Sequence, residues 1–148
     1  KYCPHLKILE VQEEGPEPTK AIQVATSIML ANPDIVAALS TTGGGPTTWA
    51  GAQKETGRKI IAVGMDYTRV NLDLVKSGQV WGAVAQPLYT ECLGSAKLLM
   101  EMANGAPAAY WTKLEAPLIT KENVDEYYSM LDRLEPKYGD NLNKNPDS

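Results

Sequence analysis

Short apolar runs alternate with segments of helical periodicity along most of the chain. The runs are rich in Ile, Val, Leu and Ala, which favours buried strands, and they lie at residues 6–11, 35–39, 60–64 and 80–85. Apolar residues spaced three and four apart predict helices after them, at about 19–31, 46–56, 71–76 and 90–103. This alternation predicts an α/β fold in three αβα layers, with helices on both faces of a parallel sheet.

Capping and stop residues predict where the helices begin and end. Thr19 and Thr90 have hydroxyls that can accept hydrogen bonds from the first turn of the helix that follows each of them. Gly57 is a predicted C-cap, because a glycine adopts the left-handed conformation that commonly ends a helix. These residues give each βα unit a defined length.

The C-terminal part of the chain continues the pattern less clearly. Residues 110–119 favour one more strand, and residues 123–134 are amphipathic and favour a helix. Residues 137–148 are rich in Asp, Asn and Lys and predict a mobile tail. The folded domain is therefore predicted to span residues 1–136.

Ligands bind an open parallel sheet outside the carboxyl ends of its strands, and this rule selects the loops at residues 13–18, 41–47, 66–69 and 86–89. Asp66 follows an apolar strand, and its carboxylate suits two adjacent ligand hydroxyls. Capping of the next helix is an equally favoured role for Asp66. Gln86 can both donate and accept, although its position before a proline favours a structural role in a turn.

The other candidate binding residues are glycine-loop and aromatic residues. Thr42 and Gly43 lie in a glycine-rich loop without the Lys-Ser/Thr ending of a phosphate-binding loop, so close backbone approach to a ligand is the better interpretation. Tyr67 and Tyr89 follow strand ends and could stack on a sugar ring, whereas Trp49 and Trp81 are less well placed. The adjacent acids Glu13 and Glu14 are interpreted as solvated surface rather than glycosidase carboxylates.

Composition excludes several classes of function. The chain has 148 residues, enough for one domain, with a net charge of −4 and 14 scattered basic residues, which argues against nucleic-acid binding. Cys3, Cys92 and His5 form no metal-ligand or nucleophile pattern, so neither a metal, a cofactor nor an enzyme activity is predicted. Cys3 and Cys92 are interpreted as free thiols, although they could pair in an oxidising compartment.

Several short stretches, in order and at the right spacing, resemble the type I periplasmic binding proteins, especially the ribose/galactose-type sugar receptors. The matching stretches share the family's strand and turn residues and are Ala-Asn-Pro-Asp-Ile at 31–35, Gly-Ala at 51–52, Ile-Ile-Ala-Val-Gly-Met-Asp at 60–66, Val-Lys-Ser-Gly-Gln-Val at 75–80, Ala-Val-Ala-Gln-Pro at 83–87 and Leu-Ile-Thr-Lys-Glu-Asn-Val at 118–124. The resemblance covers about residues 6–128.

This resemblance implies that the chain is the C-terminal lobe of a sugar-binding receptor that serves an ABC permease. It implies that Asp66 binds sugar hydroxyls, that Gln86 lies at a hinge and touches the ligand, and that a second lobe closes over the site. It also implies a periplasmic or extracytoplasmic location, with a lipid-anchored form left open. The start at Lys1 shows no signal peptide and is interpreted as the start of a fragment.

Some features depart from the family pattern and leave alternatives open. Residues 41–46 replace a common Asn-Asp pair, and the loop at 15–18 has no aromatic residue, so a pentose or a hexose is the favoured ligand and a polyol or a modified sugar is the alternative. The effector-binding core of a lactose-repressor-type regulator is the second hypothesis, because it shares this fold. A flavodoxin-like enzyme domain is disfavoured because no nucleophile or cofactor loop is visible.

In the family, the helix after the Gln-Pro element packs on the other lobe. Here that helix would present an apolar face without its usual partner, formed by Leu93, Ala96, Leu99, Met100 and Ala103. Exposed apolar patches of this kind tend to be covered by association. A homodimer or a swapped contact through residues 89–104 is therefore predicted.

Overall fold

The computed structural model of the chain describes residues 4–107 and 110–142. Helices and strands alternate along it as α1 (Pro18–Ala31), β1 (Ala37–Leu39), α2 (Gly45–Thr56), β2 (Ile61–Met65), α3 (Arg69–Ser77), β3 (Gly82–Val84), α4 (Leu88–Ala103), β4 (Leu118–Ile119) and α5 (Val124–Leu142). The predicted α/β alternation is confirmed.

The strands form one sheet in the order β1-β2-β3-β4. The first three strands are parallel, as predicted, and β4 pairs antiparallel with β3 at the edge. The strand predicted within residues 110–119 is thus limited to Leu118 and Ile119.

The core lies between the sheet and the helices that connect its strands. Both crossovers, through α2 and through α3, advance in the same direction across the sheet, so right-handed connections place both helices on one face. On that face Ala62, Ala83 and Ile119 are buried against a cluster that includes Met29 and Leu72. Small residues on the central strands allow this close packing of helix on sheet.

The opposite face of the sheet carries apolar side chains that remain exposed. In-register residues on neighbouring strands point to the same face of the sheet. Leu39 is in register with Val63, and Val84 is in register with Leu118, so the members of each pair share a face. Leu39, Ile61 and Leu118 on this face are exposed among the described residues. Helices α2 and α3 therefore cover one face of the sheet, and the exposed Leu39, Ile61 and Leu118 lie on the other.

The strand predicted at residues 6–11 is not formed. Ile8 and Val11 are 91% and 90% exposed, and the segment has no regular structure. A strand is stabilised by a hydrogen-bonded neighbour and by burial of one face, and among the described residues β1 pairs with β2 alone. The apolar pattern was therefore not sufficient to produce a strand.

Several helix boundaries differ from the prediction. Glu17, rather than Thr19, caps α1, since its carboxylate accepts hydrogen bonds from the backbone N–H groups of Thr19 (2.9 Å) and Lys20 (2.7 Å). These two bonds lower the pKa of Glu17. Helix α4 begins at Leu88, ahead of the predicted cap at Thr90. The predicted C-cap at Gly57 is confirmed by its left-handed φ of 65°.

The C-terminal helix is longer than predicted. It continues past residue 136 to Leu142, and residues 143–148 lie outside the described residues, so the mobile tail stays a prediction. Cys92 on α4 is an exposed free thiol, while Cys3 lies outside the described residues. Over residues 4–107 and 110–142, no helix combines the length and apolarity needed to cross a membrane.

Candidate ligand-binding site

Asp66 and Gln86 lie at the carboxyl ends of two neighbouring strands. Asp66 directly follows β2, and Gln86 lies two residues after β3, which is the parallel neighbour of β2. The backbone N–H of Asp66 donates to the carbonyl of Val84 at 2.9 Å, which continues the ladder beyond the assigned strands. The structure therefore brings these two predicted site residues to one edge of the sheet.

The capping role that was left open for Asp66 belongs to another residue. Thr68 is the N-cap of α3, and its hydroxyl accepts a hydrogen bond from the N–H of Asn71 at 3.3 Å. Asp66 instead adopts a left-handed backbone conformation with φ of 70°, which no other non-glycine among the described residues shares. Such a conformation is sparsely populated in L-residues and often accompanies a functional site.

The carboxylate of Asp66 lies against the backbone of Gly43. A Cβ atom placed on Gly43 would lie 2.3 Å from Oδ2 of Asp66, so a side chain at this position would displace the carboxylate from its present place. The other carboxylate oxygen, Oδ1, is buried and has no hydrogen-bond partner among the described residues. A buried carboxylate oxygen without a donor is costly, so this arrangement is suited to accept a hydrogen bond from a ligand.

Thr42 is held by a carboxylate from the first loop. Glu14 accepts hydrogen bonds from the hydroxyls of Thr42 and Ser40, the latter at 3.0 Å, and the two hydroxyls lie 3.2 Å apart. Glu14 is half-buried, so its interpretation as solvated surface is wrong. Its carboxylate connects the loop at residues 13–18 to the end of β1.

The two candidate tyrosines point to different parts of the fold. The ring of Tyr67 packs against Tyr127 of α5, with ring centroids 5.8 Å apart and an angle of 50° between the planes. Burial is the main cause that raises the pKa of Tyr127. Tyr89 lies in the first turn of α4 and is exposed. The structure therefore does not bring Tyr67 and Tyr89 together as a pair of stacking rings.

The two tryptophans lie apart from this edge in different environments. Trp49 is buried in the hydrophobic core on α2, and Trp81 is exposed just before β3. Both positions agree with their lower rank as stacking candidates.

The residue pattern gave no signal for Asn71. It lies in the first turn of α3, where an asparagine reads as an ordinary surface residue, yet it is only 1% exposed. Its side-chain amide donates to backbone carbonyls of both loops at the site, those of Gly43 and Met65 at 3.0 Å each. Its hydrogen bond to Gly43, which lies 28 residues earlier in the sequence, is visible only in the tertiary structure.

The described part of the chain contains no group of three or more His, Cys, Asp or Glu side chains arranged to hold a metal ion. The site is built instead from one carboxylate, one amide, hydroxyls and backbone groups. This set of donors and acceptors fits a ligand with several hydroxyl groups.

A family model for the periplasmic binding protein domain matches residues 1–107 of the chain. No curated protein sequence matches the chain at a significant level. Solved structures match the fold of the chain at 21–22% sequence identity, and identities this low establish a shared fold rather than a shared function.

An arabinose-binding protein from Geobacillus stearothermophilus matches with a TM-score of 0.67 at 22% identity, over 76% of this chain and 42% of that one. A glucose-galactose binding protein from the same organism matches with a TM-score of 0.73 at 21% identity, over 79% and 42%. An ABC transporter solute binding protein from Agrobacterium vitis, bound with alpha-D-tagatopyranose, matches with a TM-score of 0.73 at 22% identity, over 82% and 41%. The chain spans about two fifths of the length of each protein.

Proposed function

The chain belongs to the periplasmic binding protein domain family, and we propose that it is the ligand-gripping lobe of a receptor that delivers a sugar or polyol to an ABC importer. Of the similar solved structures, two are named for the sugars that they bind, and a third is a solute binding protein bound with alpha-D-tagatopyranose. Nothing in these likenesses supports the alternative of a lactose-repressor-type regulator. Binding without catalysis is the proposed activity.

The observation that carries this proposal is the state of the Asp66 carboxylate. Its Oδ1 atom is buried without a donor among the described residues, at the edge of the sheet where ligands bind in open α/β folds. Two hydroxyls of a sugar can donate to the two oxygens of one carboxylate, and such charge-assisted bonds are among the strongest available to a neutral ligand. A hydroxylated ligand would therefore satisfy the buried oxygen.

The neighbouring residues take supporting roles in this proposal. Gln86, half-buried beside Asp66 at the end of the adjacent strand, donates to and accepts from ligand hydroxyls. Thr42 and Gly43 belong to the loop after β1, where the absence of a side chain on Gly43 lets the Asp66 carboxylate pack against the backbone. Tyr89 is exposed, so its ring can stack on a sugar ring. Tyr67 packs against Tyr127, and this contact fixes the position of the loop after β2.

A second lobe completes the site in the full receptor. The chain spans about two fifths of its structural neighbours, so the rest of the receptor accounts for more than half of their length. Closure of two lobes around a ligand excludes water and signals occupancy to a partner. We therefore place the receptor outside the cytoplasmic membrane, facing the permease of its importer.

The proposal is tested by thermal unfolding of the full receptor that contains this lobe, against D-arabinose, D-galactose, D-tagatose and myo-inositol. A ligand at a hundred times its Kd stabilises the folded state by about 2.7 kcal/mol, which raises the melting temperature by several degrees. Asp66→Ala should abolish this rise. Asp34→Ala, an exposed aspartate that precedes β1 at the opposite end of that strand, should leave it unchanged.

Two results contradict the proposal. One is that no sugar or polyol raises the melting temperature of the unsubstituted receptor. The other is that Asp66→Ala keeps the full response to a ligand that the unsubstituted receptor binds.

Helix α4 supports a second proposal, that the 148-residue chain associates with a second copy of itself. The helix has no buried residue among its 16 positions. Leu99 and Met100 are 66% and 67% exposed on the apolar face that residues 93–103 present. Covering these side chains removes apolar surface from water, at about 25 cal/mol for each Å².

Sedimentation equilibrium tests this association. A dimer is expected at high protein concentration, and Leu99→Gln should shift it toward monomer. Glu101→Gln, on the opposite side of the same helix, is the matched control and should leave the dimer intact. A monomer at every concentration rules the association out.

A further inference from the structure

Asn71 makes an unusual set of contacts for a residue in the first turn of a helix. Its side chain is buried, and its amide nitrogen donates to the backbone carbonyls of Gly43 (3.0 Å), Met65 (3.0 Å) and Asp66 (3.3 Å). An amide nitrogen carries two hydrogens, so one of them is shared between two of these acceptors. All of its donor capacity is directed at two loops of the candidate site.

These two loops follow different strands. Gly43 belongs to the loop after β1, while Met65 ends β2 and Asp66 follows it. The strands themselves are hydrogen-bonded to each other, but the loops beyond them would be free to separate without a direct link. Asn71 supplies that link. It lies in the first turn of α3, which begins immediately after the second loop, and its side chain therefore reaches the backbone of both loops.

Asp66 needs such support because its backbone is in the left-handed region, with φ of 70°. A strained conformation of this kind persists only where the surrounding structure holds it. Two backbone hydrogen bonds do so here. The N–H of Asp66 donates to Val84 at 2.9 Å, and its C=O accepts from Asn71.

We infer that Asn71 is a positioning residue, which holds Asp66 in its left-handed conformation and keeps Gly43 against the Asp66 carboxylate before any ligand arrives. As far as ligand affinity is concerned, this inference rests on the proposed function. Aspartate at position 71 has no donor, and glutamine is one methylene too long for the same geometry. Asparagine is thus the side chain that fits both loops.

The first test needs no ligand. Amide hydrogen exchange is measured by NMR on the 148-residue chain, unsubstituted and with Asn71→Ala. The amide of Asp66, protected by its bond to Val84, should exchange at least tenfold faster in the variant, while the amide of Val63 inside β2 should not change. Asn71→Ser retains a shorter donor and provides the same comparison if the alanine variant does not fold.

Asn123→Ala is the matched control. Asn123 also joins backbone segments, since its amide donates to the carbonyl of Leu118 at 3.1 Å and its oxygen accepts from the N–H of Thr120 at 2.8 Å. Its loss should destabilise the start of α5 without any change in exchange at Asp66. A folded Asn71 variant in which Asp66 keeps its protection overturns the inference.

The second test uses the full receptor and the sugar that gives it the largest thermal shift among D-arabinose, D-galactose, D-tagatose and myo-inositol. Asn71→Ala should raise the Kd at least tenfold, and should add a much smaller loss in an Asp66→Asn background, which keeps a hydrogen-bonding side chain at position 66, because Asn71 acts through Asp66. Equal losses in both backgrounds would contradict this. If the receptor binds none of these sugars but exchange at Asp66 still depends on Asn71, the proposed function fails and the positioning role stands.

Discussion

Gly43→Ala is the substitution that tests the geometry of the site most directly. The added Cβ would lie 2.3 Å from Oδ2 and 3.2 Å from Cγ of Asp66. Non-bonded heavy atoms in good contact lie about 3.5 Å apart, so the carboxylate or the loop must move by roughly 1 Å. Overpacking of this kind costs about 1–3 kcal/mol. If the Asp66 carboxylate rotates away instead, the clash costs less but the carboxylate leaves its contact with Gly43.

Gly44→Ala is the matched control. The nearest atom to a Cβ on Gly44 is Oγ1 of Thr42 at 4.0 Å, and its φ of −79° suits any residue. Alanine reduces the entropy of the unfolded chain but is a poorer N-cap for α2, so we expect a net change within about 1 kcal/mol.

Urea unfolding of the two variants, followed by circular dichroism, separates these expectations. With a slope of about 2 kcal/mol per M, the midpoint for Gly43→Ala should lie about 0.5–1.5 M below that of the unsubstituted chain, and the midpoint for Gly44→Ala within about 0.5 M of it. In the full receptor, Gly43→Ala should also weaken sugar binding by at least tenfold, about 1.4 kcal/mol. A Gly43→Ala midpoint equal to that of the unsubstituted chain would refute the close contact between Gly43 and Asp66.

Two further predictions concern stability away from the site. Arg58 donates to the carbonyls of Met29 and Pro33 at the end of α1, so Arg58→Ala should lower the free energy of unfolding by about 1–3 kcal/mol in urea titrations, and Arg58→Lys should lose less. Burial, and then the hydrogen bond that the Tyr128 hydroxyl donates to Asp73, raise the pKa of Tyr128 to about 12 from 10.0. The folded state therefore holds this proton more tightly than the unfolded state does. The resulting stabilisation of the folded state is complete below pH 10 and is lost as the pH rises toward 12. Tyr128→Phe should reduce this loss of stability, as measured by melting curves across that pH range.

The order of the α/β units and the position of the site edge were predictable because they depend on local patterns. The apolar run ending at Met65 predicts β2 wherever its neighbours lie, and Gly57 ends α2 through a property of its own backbone. The alternation then fixes a parallel sheet, which in turn selects Asp66 and Gln86 at its carboxyl edge. None of these steps requires knowledge of a long-range contact.

Local patterns failed where an outcome depends on a partner distant in sequence. Residues 6–11 have a strand pattern but no hydrogen-bonded neighbour in the described chain, and so they form no strand. Glu14 looks like a solvated acid until the end of β1 brings Ser40 and Thr42 to it, 26 and 28 residues away. The predicted stacking role of Tyr67 competes with a ring contact that only the docking of α5 creates.

The sequence by itself determined the order of the helices and strands from α1 onward, and which edge of the sheet holds a carboxylate and an amide. Only the tertiary structure decided that Gly43 touches Asp66, that Asp66 is strained, and that one buried asparagine supports both loops. The physical reason is the range of the interactions. Propensity and capping act within a few residues along the chain, whereas the shape of a site arises from side chains that helix packing brings together across 20 to 30 residues.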